Sequence, residues 1–135
     1  MSENIIRAVR YWWEMAEESL SAAQREYDAE AYSFAMNRIY YAVFYAVSAA
    51  LLDRQLSFVK HTGVRAAFHQ HFVKQGLINV EWGKFYDRLF EDRQEGDYLA
   101  FISFDQDYVK AQLASGEEFL STLKPLITGL TESPE

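Results

Sequence analysis

From Ala31 to Leu52 the chain carries a single charge, Arg38, in a segment otherwise built of apolar, aromatic and small residues. Ala31, Ala35, Ala42, Ala46 and Ala49 mix with Tyr40, Val43, Phe44 and Val47 at spacings that place them all round a helix. A helix apolar on most sides belongs at the centre of a fold. Its uncharged stretch, Ile39 to Leu52, is short for a membrane span and fits a buried core helix. The pattern predicts a helix over about Glu30–Leu52, with residues 40–47 the most buried part of the molecule.

Arg38 is then a guanidinium in apolar company, and an unpaired buried charge is costly. Two readings stand. A carboxylate meets it in a buried ion pair that sets helix register, or it faces an anionic ligand such as a phosphate.

The rest of the chain reads as helices separated by short breaks. Ile5, Val9, Trp12, Ala16, Leu20, Ala23 and Tyr27 form one stripe of a first helix, and a tight turn is expected at Asp28 to Glu30. Asp53 to Lys60 reads as a linker. Thr62 is the expected N-cap of a short third helix carrying Val64, Ala67, Phe68 and Phe72, with Gly76 at its C-terminal end. Asn79 is the expected cap of a fourth helix bearing Trp82, Phe85, Leu89 and Phe90. Ser103 to Gln106 fits a capping box for a fifth helix with Val109, Leu113, Phe119, Leu120 and Leu123, ended or kinked by Pro125. The expected architecture is all-α, an up-and-down bundle of about five helices, one domain over residues 1–130 with a frayed tail at 131–135.

With 135 residues, 50% of them hydrophobic, the chain can build one core. One such chain has little mass with which to cover the stripes of its first, second and fourth helices. A two-fold homodimer through the second and fourth helices is therefore expected. A net charge of −7 argues against a basic coat for nucleic acid, though not against a local basic site. No cysteine is present, which excludes disulfides and thiolate metal sites. No metal-ligand spacing, phosphate-binding glycine loop or nucleophile elbow is visible, so no metal and no cofactor are expected. Neither a signal peptide nor a membrane span is visible, and a cytoplasmic location is expected.

Three segments in series carry a resemblance. Asn37-Arg38-Ile39-Tyr40-Tyr41-Ala42-Val43-Phe44 resembles the N-R-x-Y-Y-A-x-F signature of the HEPN superfamily in its UPF0332-like branch. His61-Thr62-Gly63-Val64, then Phe68 and His71 to Ile78, is similar to the central block of that branch. Arg93 to Tyr98 is similar to its R-x-x-A-D-Y box, with Gly96 where alanine is usual. The resemblance covers roughly residues 5–125. It implies a helical bundle, usually a homodimer, in a prokaryotic setting where many members pair with a minimal nucleotidyltransferase in toxin–antitoxin systems.

Active members are metal-independent ribonucleases. They place a histidine after the motif arginine with four to six residues between, as general base on a ribose 2′-hydroxyl, while the arginine stabilises phosphate charge. The matching positions here are Val43, Phe44 and Tyr45. Tyr45 lies seven residues beyond Arg38, nearly two turns on, on the face shared with Tyr41. A phenol with a pKa of about 10 is a poor base at neutral pH.

His61 reads as a capping or packing residue, or as a displaced base. His69 and His71, two apart, point to different faces and make no metal pair. Glu91, Asp92, Asp105 and Asp107 read as surface and capping charges. Arg93 and Asp97 are four apart, and the resemblance suggests that Asp97 or Tyr98 reaches Arg38. The outcome is either a buried Arg38–Asp97 pair or a phosphate pocket of Asn37, Arg38, Tyr41, Arg93 and Tyr98. The reading is a HEPN-type homodimer that binds a nucleotide or nucleic-acid phosphate without cleaving it. The alternatives are a ribonuclease toxin using His61 and a purely structural interaction module.

Overall fold

A computed structural model describes residues 2–98 and 103–131; for residues 94–98 it describes the backbone alone. Among the described residues every regular element is helical: α1 (Glu3–Asp28), α2 (Tyr32–Asp53), α3 (His61–Phe68), α4 (Val80–Tyr98), α5 (Gln106–Leu123) and α6 (Thr128–Thr131). α1 and α2 pair along their length, and α3, α4 and α5 also pack on α2. No helix among the described residues is long and apolar enough to cross a membrane.

α1 starts on Ser2, whose hydroxyl accepts from the Ile5 amide at 3.2 Å, with Glu3 complementing the helix dipole. Its buried face is Val9, Trp13, Ala16, Ser19 and Ala23. Trp13 takes the core place expected of Trp12, which stays half-buried. The turn into α2 puts Glu30 at φ 62°.

α2 is the centre of the fold. Tyr40, Ala42, Val43, Ala46 and Val47 are all 0% exposed, as its apolar circumference predicts. The fully buried rings of Tyr40, Phe68, Phe72, Phe85, Tyr86 and Phe119 fill the space around it. Because α1, α3, α4 and α5 of the same chain cover α2, its apolarity does not by itself demand a second copy.

Asp53 is the last residue of α2, not the start of a linker. Buried at 8% exposure, its carboxylate accepts from the Thr128 and Gly129 amides at 3.0 and 2.8 Å. Arg10 Nε donates to the Gly129 carbonyl at 3.1 Å. The start of α6 is thereby tied to α1 and α2. Thr131 closes α6, and the rest of the tail lies outside the described residues.

α3 begins at His61 with Lys60 as its N-cap residue, so Thr62 sits inside the first turn. The helix runs on through a π-helical turn at His69–Val73, closed by the Lys74 amide on the His69 carbonyl. Gly76, at φ 72°, ends it, and Leu77 donates back to the Phe72 carbonyl. Asn79 accepts from the Glu81 amide at 2.8 Å at the start of α4. α5 starts at Gln106, capped by Asp105 onto the Tyr108 amide. The expected capping box at Ser103 is thus displaced by two residues, with the Asp105 carboxylate taking the cap. α5 ends at Leu123, and Pro125 sits in a single 3₁₀ turn beyond it.

Candidate functional site

One stripe of α2 faces outward: Phe34, Asn37, Arg38, Tyr41 and Tyr45, at steps of three and four. Arg38 is exposed and, among the described residues, makes no hydrogen bond or ion pair. It is therefore not the buried cation that its neighbours in sequence predict. The reason is helical phase: Ile39 and Ala35 turn inward, and Arg38 falls on the outer stripe. The expected Arg38–Asp97 pair involves side chains outside the described residues, as does Tyr98.

Arg38 lines a groove of about 430 Å³ with Ser33, Asn37, Asp92, Arg93 and Phe104. Arg93 comes from α4 and is half-buried. Its Nη2 donates to the Tyr41 hydroxyl at 3.2 Å. Its guanidinium carbon stands 5.0 Å from the Tyr40 ring centre and 5.4 Å from that of Tyr41, within cation–π range. Asp92, across the groove, accepts a short hydrogen bond from the Tyr108 hydroxyl. Arg38 also borders a second groove, toward Glu18, Arg25 and Glu26 of α1.

Behind the Arg93–Tyr41 contact lies His61, half-buried at the start of α3. Its ring stacks on Phe44 at 4.1 Å, and its Nδ1 is 2.9 Å from the Tyr40 hydroxyl. Burial lowers the His61 pKa, and the Arg93 charge lowers it further, so the ring is neutral at pH 7. Burial pushes the Tyr40 phenol up to about 12, so it remains a donor. A buried hydroxyl proton needs an acceptor, and among the described residues Nδ1 is the partner Tyr40 has. The network thus assigns the His61 proton to Nε2, which is neither hydrogen-bonded among the described residues nor sealed from solvent. His61 packs and accepts from Tyr40; its side chain makes no capping bond to α3.

Tyr45 lies further along the stripe, its ring 5.7 Å from Tyr41 and 5.5 Å from Trp12. Burial raises its pKa, with Tyr41 adding and Arg38 opposing, which makes it a still poorer base. The structure therefore gathers Asn37, Arg38 and Arg93 on one groove. Tyr41 joins them through Arg93, His61 through Tyr40, and Tyr45 along the helix.

A second cationic cluster was not legible from spacing. Asp87 Oδ1 accepts from Arg65 Nη1 at 2.8 Å and from His69 Nε2 at 2.9 Å, tying α3 and its π turn to α4. The Arg65 guanidinium lies 4.2 Å over the Phe90 ring. Gly83 makes the approach possible, since a Cβ there would stand 2.7 Å from His69 Cε1. Eighteen residues separate His69 from Asp87, and no local motif links them.

Comparison with known proteins identifies the family. The profile of the HEPN domain matches residues 9–126. A UPF0332 protein of Thermotoga maritima is 46% identical over 124 residues, covering 92% of this chain and 94% of that protein. Two Methanocaldococcus jannaschii proteins are also similar. "Putative toxin MJ0142" is 37% identical over 82% of this chain and 76% of its own. "Putative toxin MJ0605" is 34% identical over 92% of both chains. Profile and relatives cover the helices that carry Arg38, His61 and Arg93, and the chain belongs to the HEPN domain family, in its UPF0332 branch.

Proposed function

We propose that this chain is the HEPN component of a toxin–antitoxin-type pair, a cytoplasmic homodimer that binds the phosphate of a nucleotide or nucleic acid and lacks ribonuclease chemistry. Its partner is then a minimal nucleotidyltransferase. The observation that carries the phosphate reading is Arg38: exposed, with no partner among the described residues, and on one groove with Asn37 and Arg93. Guanidinium groups bind phosphate in a fork geometry, and two on one groove concentrate positive potential on an otherwise acidic protein. The toxin names of two relatives support the setting. Phe34, 68% exposed beside Arg38, is an apolar anchor suited to a two-fold contact through α2.

The test is calorimetric titration with pyrophosphate, comparing the natural protein with Arg38→Ala. A loss of tenfold or more in affinity is expected; equal affinities overturn the phosphate reading. Light scattering at micromolar concentration checks the dimer, and a monomer would reject that part.

A second reading, a metal-independent ribonuclease with His61 as base, draws on one observation: His61 is neutral near Arg93. Against it, the Tyr40 contact occupies Nδ1 and leaves the proton on Nε2. RNA cleavage abolished by His61→Ala would favour this second reading.

A further inference from the structure

Between the buried Asp53 and the exposed Glu81, residues 54–80 contain no aspartate or glutamate. All twenty acidic residues of the chain lie outside that stretch, together with nine of its thirteen lysines and arginines. The stretch keeps Arg54, Lys60, Arg65, Lys74 and all three histidines. A net charge of −7 thus coexists with a cationic patch, built by the linker after α2, by α3 and by its π turn.

Some of these charges are met from outside the stretch. Asp87 reaches across from α4 to Arg65 and His69. The two acids that border the stretch are engaged elsewhere: Asp53 by the Thr128 and Gly129 amides, Glu81 by Lys84 at 3.5 Å. Arg54, Lys60 and Lys74 are exposed and make no ion pair among the described residues.

The three lie along one side of the fold. Thr62, Ala66, Gln70 and Lys74 are exposed at steps of four, an outward stripe of α3 and the π turn. Lys60 stands before the stripe as N-cap residue and Lys74 closes it, about 20 Å further on at the rise of a helix. Arg54 joins the far end, its guanidinium carbon 4.5 Å from the Phe72 ring centre. The Leu77 amide donates to the Phe72 carbonyl at 3.0 Å, which brings Leu77 to the same end. Apolar side chains flank the lysines. Val59, 98% exposed, is next to Lys60, and the exposed Leu77 and Val80 follow Lys74.

We propose that this face docks an acidic segment of a partner polypeptide, with carboxylates on Lys60, Lys74 and Arg54 and aliphatic side chains on Val59, Leu77 and Val80. Charge complementarity carries the choice of an anion. The acid-rich remainder of the chain repels the same segment, so the patch fixes where the partner lands. The aliphatic side chains carry the choice of a polypeptide. Single-stranded nucleic acid is held by phosphate contacts and by stacking on rings, and Val59, Leu77 and Val80 offer no ring. A membrane surface takes a helix with a continuous apolar face, and that of α3, Val64, Ala67 and Phe68, is buried in the core. Scattered aliphatic groups with charges at their rim are the make-up of a protein interface. The inference is independent of the phosphate reading, since neither Arg38 nor its groove takes part.

Fluorescence anisotropy with a labelled peptide of repeated Glu-Glu-Leu triplets tests it, against a Gln-Gln-Leu peptide of the same length. At low salt the natural protein is expected to bind the acidic peptide at least tenfold more tightly than the neutral one. Lys60→Glu combined with Lys74→Glu should remove that preference. Both lysines are exposed, so the helical fold should survive, which circular dichroism checks. Leu77→Ser combined with Val80→Ser should weaken the acidic peptide severalfold, and Arg38→Ala should leave it unchanged.

Equal affinity for the two peptides, or binding of neither, overturns the proposal. A loss in Arg38→Ala as large as that in the lysine variant moves the anion to the groove and overturns it too. Indifference to the Leu77 and Val80 substitutions leaves a bare anion-exchange surface, and the proposal falls. Oligouridylate and phosphatidylserine vesicles complete the series. Binding of either that exceeds the acidic peptide and is lost with the lysine reversals assigns the face to nucleic acid or to membrane instead.

Discussion

Two clusters along α4 use the same residue types to different ends. On the α3 side, Arg65 and His69 converge on one oxygen of Asp87, and Arg65 covers Phe90. On the α2 side, Arg93 covers Tyr40 and Tyr41, His61 meets a phenol, and Arg38 stands exposed. The first cluster contains its own carboxylate, so its charges are met within the chain. In the second, Arg38 and His61 meet no carboxylate among the described residues. Arginine and histidine in proximity do not mark a binding site; what separates the two clusters is that Arg65 and His69 share one carboxylate whereas Arg38 stands exposed with no ion pair among the described residues. The closed cluster locks helices, and the open one is the candidate for an anion from outside.

The sharpest way to break this comparison is to make the open cluster catalytic. The natural protein is expected to show no metal-independent RNA cleavage above background, because Tyr45 is a poor base in the position the family gives to histidine. Tyr45→His puts an imidazole in the same half-buried place beside Tyr41 and Arg38. General-base catalysis is worth about a hundred- to ten-thousandfold, so even partial restoration is measurable. The assay uses labelled RNA without metal and scores 2′,3′-cyclic phosphate ends. Robust cleavage by the natural protein, lost in Arg38→Ala, would restore the ribonuclease reading.

Stability separates the clusters next. Asp87→Ala strands Arg65 and His69 and is expected to cost about 1.5–3 kcal/mol in urea unfolding, the range for hydrogen bonds to a charged group. Arg38→Ala removes no hydrogen bond or ion pair among the described residues and should stay within about 0.5 kcal/mol. If Arg38→Ala proves the more damaging, Arg38 is structural and the contrast fails.

Much of the fold was legible in the sequence because it depends on period and breaks. The apolar circumference of residues 40–47 marked the core, and Gly76 and Asn79 marked a helix end and start. The exposure of Arg38 was not legible. Tyr41, Phe44 and Tyr45 count as apolar in any pattern, yet they line the open face, so the helix looked buried on every side. Asp53 was missed because its partners are amides more than seventy residues away. Arg38 stood out as the one charge of its segment, whereas Asn37, Tyr41 and Arg93 came from motif resemblance, and the meeting of Arg93 with the α2 residues is a property of helix packing that no local spacing contains.

Within the open cluster, Tyr40→Phe removes the hydroxyl that orients His61. A single neutral hydrogen bond is worth about 0.5–1.5 kcal/mol, and a loss of that size is expected in urea unfolding. The variant also frees the His61 tautomer. Its ribonuclease background is therefore informative: cleavage appearing in Tyr40→Phe and absent from the natural protein would show that the Tyr40 contact had been holding a base silent.

The smallest expected effect is a dependence on pH. The His61 pKa lies below its ordinary value of about 6.5 in the folded protein, because burial and then Arg93 disfavour its charge. Above about pH 6.5 the ring is neutral in both folded and unfolded chains and costs nothing. As pH falls below that value, the unfolded chain takes up the proton first. Stability therefore declines through the window between the unfolded pKa and the lower folded one, and the loss is complete below the folded pKa. Protonation also turns Nδ1 from acceptor to donor, so the Tyr40 oxygen must accept and its own hydroxyl proton loses its acceptor. His61→Phe abolishes this titration along with the hydrogen bond. Urea midpoints measured for both proteins from pH 7.5 down to 5 should show a stability difference that shrinks on acidification, since the natural protein loses what the variant already lacks. Comparing the two proteins cancels the carboxylate titrations common to both. Parallel curves would mean that His61 is not held neutral by its surroundings, and the assignment of its proton to Nε2 would lose its physical basis.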